Sequence, residues 1–180
     1  MNRQKGFTLV EMLTVSVIVA VLLAIGVPSY RYIGNQNRMS MEVNSLLADL
    51  QYARSEALRE GKRVTACAST NGSTCTGGTA WARGWLVYSN PNGVANPPAN
   101  SLLRIRTAFI GKVPDLLTAN NAVSTVTFNR EGFATTVAGF ASTKFLLTEQ
   151  TSSNTYTRCL LLSPVGVLTT QTRTGNPVTC

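Results

Sequence analysis

One carboxylate stands where chemistry forbids an idle one. From Phe7 to Val27 only Thr8, Glu11, Thr14 and Ser16 are polar, and Glu11 is the one charge in the run. An ionised side chain in an apolar span costs roughly 3 kcal/mol, so Glu11 demands a partner and a purpose. The other chemically capable groups are the four cysteines, Cys67, Cys75, Cys159 and Cys180, and a set of scattered cations that includes Arg104, Arg106 and Arg173. The 180 residues contain no histidine, which excludes a Ser-His-Asp triad, a Cys-His pair and histidine-ligated metals. No C-x-x-C spacing exists for zinc, no Gly-rich loop is followed by Lys-Ser/Thr, and the eight carboxylates offer no obvious acid/base pair. The sequence therefore implies no cofactor, no metal and no catalysis.

The elements that must position Glu11 begin with its own helix. At about 1.5 Å per residue, the run to Val27 spans on the order of 30 Å, a bilayer's hydrocarbon thickness. Arg3 and Lys5 precede it, so the N-terminus is expected in the cytoplasm and everything after Val27 outside. Three readings fit such a start: a secretory signal cut near Ala24-Ile25-Gly26, a plain anchor, or a dedicated export motif. The first two leave Glu11 unexplained. Gly6-Phe7-Thr8-Leu9-Val10-Glu11 resembles the cleavage motif of type IV pilins and type II secretion pseudopilins. That resemblance implies a leader of residues 1–6, cut between Gly6 and Phe7 by a prepilin peptidase, and methylation of the new Phe7 amine. It also implies that Glu11 pairs with a terminal amine as subunits enter a filament.

Pro28 cannot donate to the Ala24 carbonyl, so a kink or weak point is expected there. From Met39 the pattern becomes one-sided: Met39, Val43, Leu46, Leu50, Ala53 and Ala57 follow 4-3-4-3-4 steps, with Gly61 as the stop. The charges Arg38, Glu42, Asp49, Arg54, Glu56, Arg59 and Glu60 fall on the other positions, which predicts a solvated face. The sequence thus reads as a helix over 7–61, with 7–27 in the membrane, followed by a β-rich domain over 62–180. The fold class is α+β, a long N-terminal helix packed on an antiparallel β domain. Segments 63–68, 84–88, 102–109, 125–128, 133–137, 144–148, 158–162 and 166–171 are the expected strands. In 102–109, Leu103, Ile105 and Thr107 alternate with Arg104 and Arg106, as in a half-buried strand with apolar residues inward. Gly132 and Ser163-Pro164-Val165-Gly166 mark turns, and 90–100 is the expected mobile loop.

Cys67 and Cys75 flank Asn71-Gly72, a tight-turn dipeptide, so a hairpin would join them and leave Cys159 with Cys180. Four cysteines allow three pairings, and an even count suits an oxidising compartment.

The segment Leu50-Gln51-Tyr52-Ala53-Arg54-Ser55-Glu56-Ala57-Leu58, with Gly84-Trp85 and the two late turns, is similar to the GspH/FimT subgroup of minor pilins and pseudopilins. The resemblance implies a subunit that initiates or joins a type IV pilus or type II secretion pseudopilus. Its expected partners are other pilins and the peptidase, with the inner membrane as its place before assembly and the cell surface after it. The alternative is DNA uptake, since FimT-type pilins bind DNA through Gly-Arg-x-Arg after a Ser-Pro-x-Gly-like turn. Here Gly166 is followed by Val167-Leu168-Thr169, so DNA would be bound weakly, through Arg104, Arg106 or Arg173. A third reading is an anchored periplasmic binding module.

Overall fold

A computed structural model describes residues 6–109, 115–136, 139, 141–149 and 157–172. The chain divides into two compact units, residues 1–38 and 39–180.

The first unit is the N-terminal part of α1, which runs from Leu9 to Glu60. Thr8 caps it: its Oγ1 accepts the Glu11 backbone N–H at 3.3 Å. The apolar side chains from Phe7 to Ile25 are exposed, and the helix is long and apolar enough to cross a membrane. It passes through Pro28 without interruption in its assignment, although the ring removes one backbone donor.

The second unit begins with the rest of α1, which ends at Glu60 because Gly61 takes a left-handed φ of 64°. Five strands form the first sheet in the order β3-β2-β1-β5-β6, all antiparallel: β1 (Val64–Ala68), β2 (Gly84–Ser89), β3 (Leu102–Thr107), β5 (Thr125–Phe128) and β6 (Ala134–Thr136). The second sheet has the order β4-β7-β8-β9, from β4 (Leu116–Ala119), β7 (Thr143–Thr148), β8 (Arg158–Leu162) and β9 (Leu168–Thr172). The 4-3-4-3-4 stripe of α1 is buried against residues of both sheets in one core, with Ala66, Trp85, Phe128, Phe145 and Leu160 among them. Strand alternation sends Cys67, Leu86 and Tyr88 to the opposite face of the first sheet, where they meet Cys75.

Trp81 ties the sheets together. It lies in a 3-10 turn, Trp81–Arg83, donates its indole N–H to the Val123 carbonyl at 2.9 Å, and meets Phe145 edge-on at 5.2 Å. The short strand β4 has no counterpart among the segments expected from sequence. Loop 90–100 starts from a fixed point: Asn90 is buried, its amide donates to Thr65 Oγ1 and the Val94 carbonyl, and its oxygen accepts the Val94 N–H.

Candidate functional site

The structure isolates Glu11 chemically. Of the four polar residues in the apolar run, Thr8 accepts from the Glu11 N–H, Thr14 donates to the Glu11 carbonyl at 2.9 Å, and Ser16 donates to the Leu13 carbonyl at 2.9 Å. Hydroxyls that bond back to their own helix carry no unmet demand into lipid. Glu11 is exposed, and no ion pair forms to it among the described residues. It lies in the first turn of α1, where the helix dipole favours a carboxylate, but its charge has no ion-pair partner among the described residues. Gly6 and Phe7 precede the helix in open chain, and the Phe7 side chain is 71% exposed. Arg3 and Lys5 lie outside the described residues.

The two arginines of β3, Arg104 and Arg106, meet a carboxylate of α1. Arg104 and Arg106 do share one strand face, but it is the face that looks at α1, alongside Trp85 and Val87. Ile105 is the exposed residue, at 54%. The expected alternation holds at Leu103, which packs against the core, and is inverted over Arg104–Arg106, where both arginines reach Asp49. This carboxylate is 1% exposed, accepts Arg104 Nη1 at 2.9 Å and Arg106 Nε at 3.2 Å, and takes the Trp85 indole N–H at 2.9 Å. Arg104 also lies 3.8 Å above the Tyr52 ring. A buried carboxylate with two cations and a neutral donor is well satisfied, and so are the arginines. Arg173 lies outside the described residues.

Sequence reading missed Asp49 because it assigned the charges of α1 to solvent. Asp49 and Glu56 are both buried. The signal was present: Asp49 lies three residues after Leu46 and four before Ala53, inside the apolar stripe. Glu56 is held by Arg59 through both carboxylate oxygens, Nε lying 3.0 Å from Oε2. That bond holds the Glu56 carboxyl below the ordinary carboxylate range, against burial, which pushes it up. From Met41 to Leu58 the exposed positions of α1, Met41, Asn44, Ala48, Gln51, Ser55 and Leu58, are uncharged, and exposed charges return only at Arg59 and Glu60.

Arg54 gathers the two late turns. Its Nε donates to the Gly132 carbonyl and its Nη2 to the Val165 carbonyl, each at 3.1 Å, while the Ala134 N–H reaches Pro164 O at 2.8 Å. One guanidinium therefore joins the β5–β6 hairpin of the first sheet to the β8–β9 turn of the second. The Ser163–Gly166 turn closes as expected, with the Gly166 N–H on Ser163 O at 2.9 Å. Val165 and Val167 are half-exposed at its tip.

Cys67 and Cys75 form a disulfide, with Cα atoms 5.6 Å apart. The route between them is a correction to the expected hairpin. β1 pairs with β2 and β5, and the connecting loop is folded by Asn71, whose Oδ1 accepts the N–H groups of Ser73 and Thr74 at 2.9 and 3.0 Å. Cys159 is buried on β8, and Cys180, its expected partner, lies outside the described residues.

Two family models match the chain: Type II transport protein GspH over residues 42–166, and the prokaryotic N-terminal methylation motif over residues 1–27. Among curated relatives, Fimbrial protein Q of Moraxella bovis is 38% identical over 86 residues, 44% of this chain and 54% of that protein. A Fimbrial protein of Pseudomonas aeruginosa is 35% identical over 69 residues, 38% of this chain and 44% of that protein. The match thus spans about half the length of these relatives. Among solved structures, the type IV minor pilin FimU of Pseudomonas aeruginosa superposes with a TM-score of 0.57 at 23% identity, covering 76% of this chain and 90% of FimU. A second crystal form gives a TM-score of 0.52, covering 72% and 89% at the same identity. The shared fold is the α+β pilin fold.

Proposed function

The chain belongs to the GspH family and carries the N-terminal methylation motif, and from that membership we propose that it is a minor pilin or pseudopilin. In this reading it is a structural subunit that initiates, or is built into, a type IV pilus or type II secretion pseudopilus. Before assembly it sits in the inner membrane through residues 7–27, with the N-terminus in the cytoplasm and the β domain in the periplasm. A prepilin peptidase removes residues 1–6, and the Phe7 amine is methylated. The observation that carries the reading is Glu11, a carboxylate in an apolar helix whose other polar side chains are satisfied within that helix. A terminal amine from another pilin supplies the counter-charge, and two opposite charges each lower the other's cost in lipid. The uncharged stripe of α1 from Met41 to Leu58 suits close packing among subunits. Pro28 supplies a local weak point that lets the helix adjust.

DNA uptake has less behind it. Arg104 and Arg106 already serve Asp49, and Val165 and Val167 occupy the turn tip. Non-specific DNA binding draws on several free cations at once.

Intact-mass analysis of membrane-extracted protein tests the processing step. The expected species begins at Phe7 and carries one added methyl group. A mature chain that begins near Val27 would overturn the reading and establish an ordinary signal peptide.

A further inference from the structure

The face of the first sheet turned away from α1 borders a cleft of about 710 Å³. Its floor is built of hydroxyls. Thr65 on β1, Thr127 on β5 and Thr135 on β6 are register partners across three adjacent strands, and Thr65 and Thr127 share a hydrogen bond at 2.9 Å. Thr65 is buried and its Oγ1 is taken by Thr127 and the Asn90 amide, so Thr127 and Thr135, on strands about 4.8 Å apart, are the hydroxyls of the row left to face the cleft. The wall is loop 90–96, pinned by Asn90 and by the Cys75 N–H on Asn96 Oδ1 at 3.0 Å. Arg63 lines this cleft and also a neighbouring one of about 480 Å³, which it shares with Lys62 and Arg130. Neither Lys62 nor Arg63 forms an ion pair among the described residues. Glu131, the carboxylate in the groove, is already bonded to Arg130 at 3.1 Å.

The lining selects its ligand by chemistry. Hydroxyls donate and accept equally well, so Thr127 and Thr135 complement a polyol. The Arg63 fork matches a carboxylate through two parallel bonds. The one aromatic in the lining, Tyr88, has its ring fully buried, which removes the stacking platform that single-stranded nucleic acid uses. We infer that this groove binds a carboxylate-bearing oligosaccharide, with sugar hydroxyls on Thr127 and Thr135 and an acid group on Arg63. The inference goes beyond the assembly role, since every lining residue comes from one chain.

The test is a calorimetric titration of the full-length chain in detergent with oligogalacturonate, its methyl-esterified form and a short DNA duplex. The expected result is saturable binding of oligogalacturonate, at least ten-fold weaker for the ester. Arg63→Gln is expected to weaken binding at least ten-fold and Thr127→Val about three-fold, whereas Arg83→Gln, at the other end of β2, leaves it unchanged. If Thr127→Val does not fold, the exposed Arg63→Gln decides alone. No binding, equal binding of the ester, insensitivity to Arg63→Gln, or tighter binding of the duplex would each overturn the inference.

Discussion

Arg104 Nη1 stands 2.9 Å from Asp49 Oδ1, a contact that ties the edge strand β3 to α1 across 55 positions of sequence. It turns an apparent surface cation into a fastening of the fold. Removing Asp49 leaves the buried Trp85 indole without an acceptor and two arginines without their charge partner. The arginines are nearly half exposed and can rehydrate, so the cost falls below that of a fully buried pair. Asp49→Ala is expected to destabilise the chain by about 2–4 kcal/mol, and Arg104→Gln by about 1 kcal/mol because Arg106 remains. Urea unfolding followed by tryptophan fluorescence measures both. Equal losses for the two variants would contradict the assignment of Asp49 as the hub.

The two late turns meet so closely that only glycine fits. A Cβ on Gly166 would overlap the Gly132 carbonyl and approach Arg54 Nε to 2.8 Å, at a φ of 76°. Gly77 has a similar φ of 71° with nothing within 4 Å of a Cβ. Gly166→Ala is therefore expected to cost about 3 kcal/mol or more, and Gly77→Ala only about 1 kcal/mol for the left-handed backbone. Thermal unfolding of the two variants separates crowding from conformation. Similar losses would show that φ alone sets the cost.

Much of this architecture was legible in the sequence. The 4-3-4-3-4 stripe from Met39 to Ala57 is the buried face of α1, and Gly61 ends the helix, because both signals are local and repeat along the chain. The expected segments around 84–88, 125–128 and 158–162 became strands within a residue of their bounds. What failed depended on partners distant in sequence. In β3 Leu103 packs inward and Arg104 and Arg106 share a face as expected, but Ile105 is exposed, since only the folded chain brings Asp49 to the two arginines. β4 escaped notice because Leu116–Ala119 is four residues long, without β-branched residues except Thr118. Asn71-Gly72 marked a turn correctly, but the Asn71 side chain folds the loop and no hairpin ladder forms across it. At the candidate site, Glu11 was visible as an anomaly of composition. Thr8 as its cap was visible as Thr-x-x-Glu and went unread.

Acid should act through Glu56. Its folded pKa lies below the ordinary value, so the Arg59 pair contributes stability that is fully present above about pH 4.3 and is lost as pH falls through the folded value. Wild type should therefore be more stable than Arg59→Gln at pH 7, with the gap closing as pH falls below 4. Paired melting curves between pH 7 and about pH 3 measure it. A gap that stays constant with pH would assign the loss to packing of the arginine stem.

The most direct test of the account concerns Glu11. If its carboxylate recruits the terminal amine of another pilin, Glu11→Val removes the costly charge and should enter the membrane at least as well as wild type. The measurement is co-purification of Glu11→Val with the other pilins of the same cell, scored against its level in the membrane fraction. The account predicts undiminished membrane protein and loss of the pilin partners. Recovery of those partners at wild-type yield would contradict it.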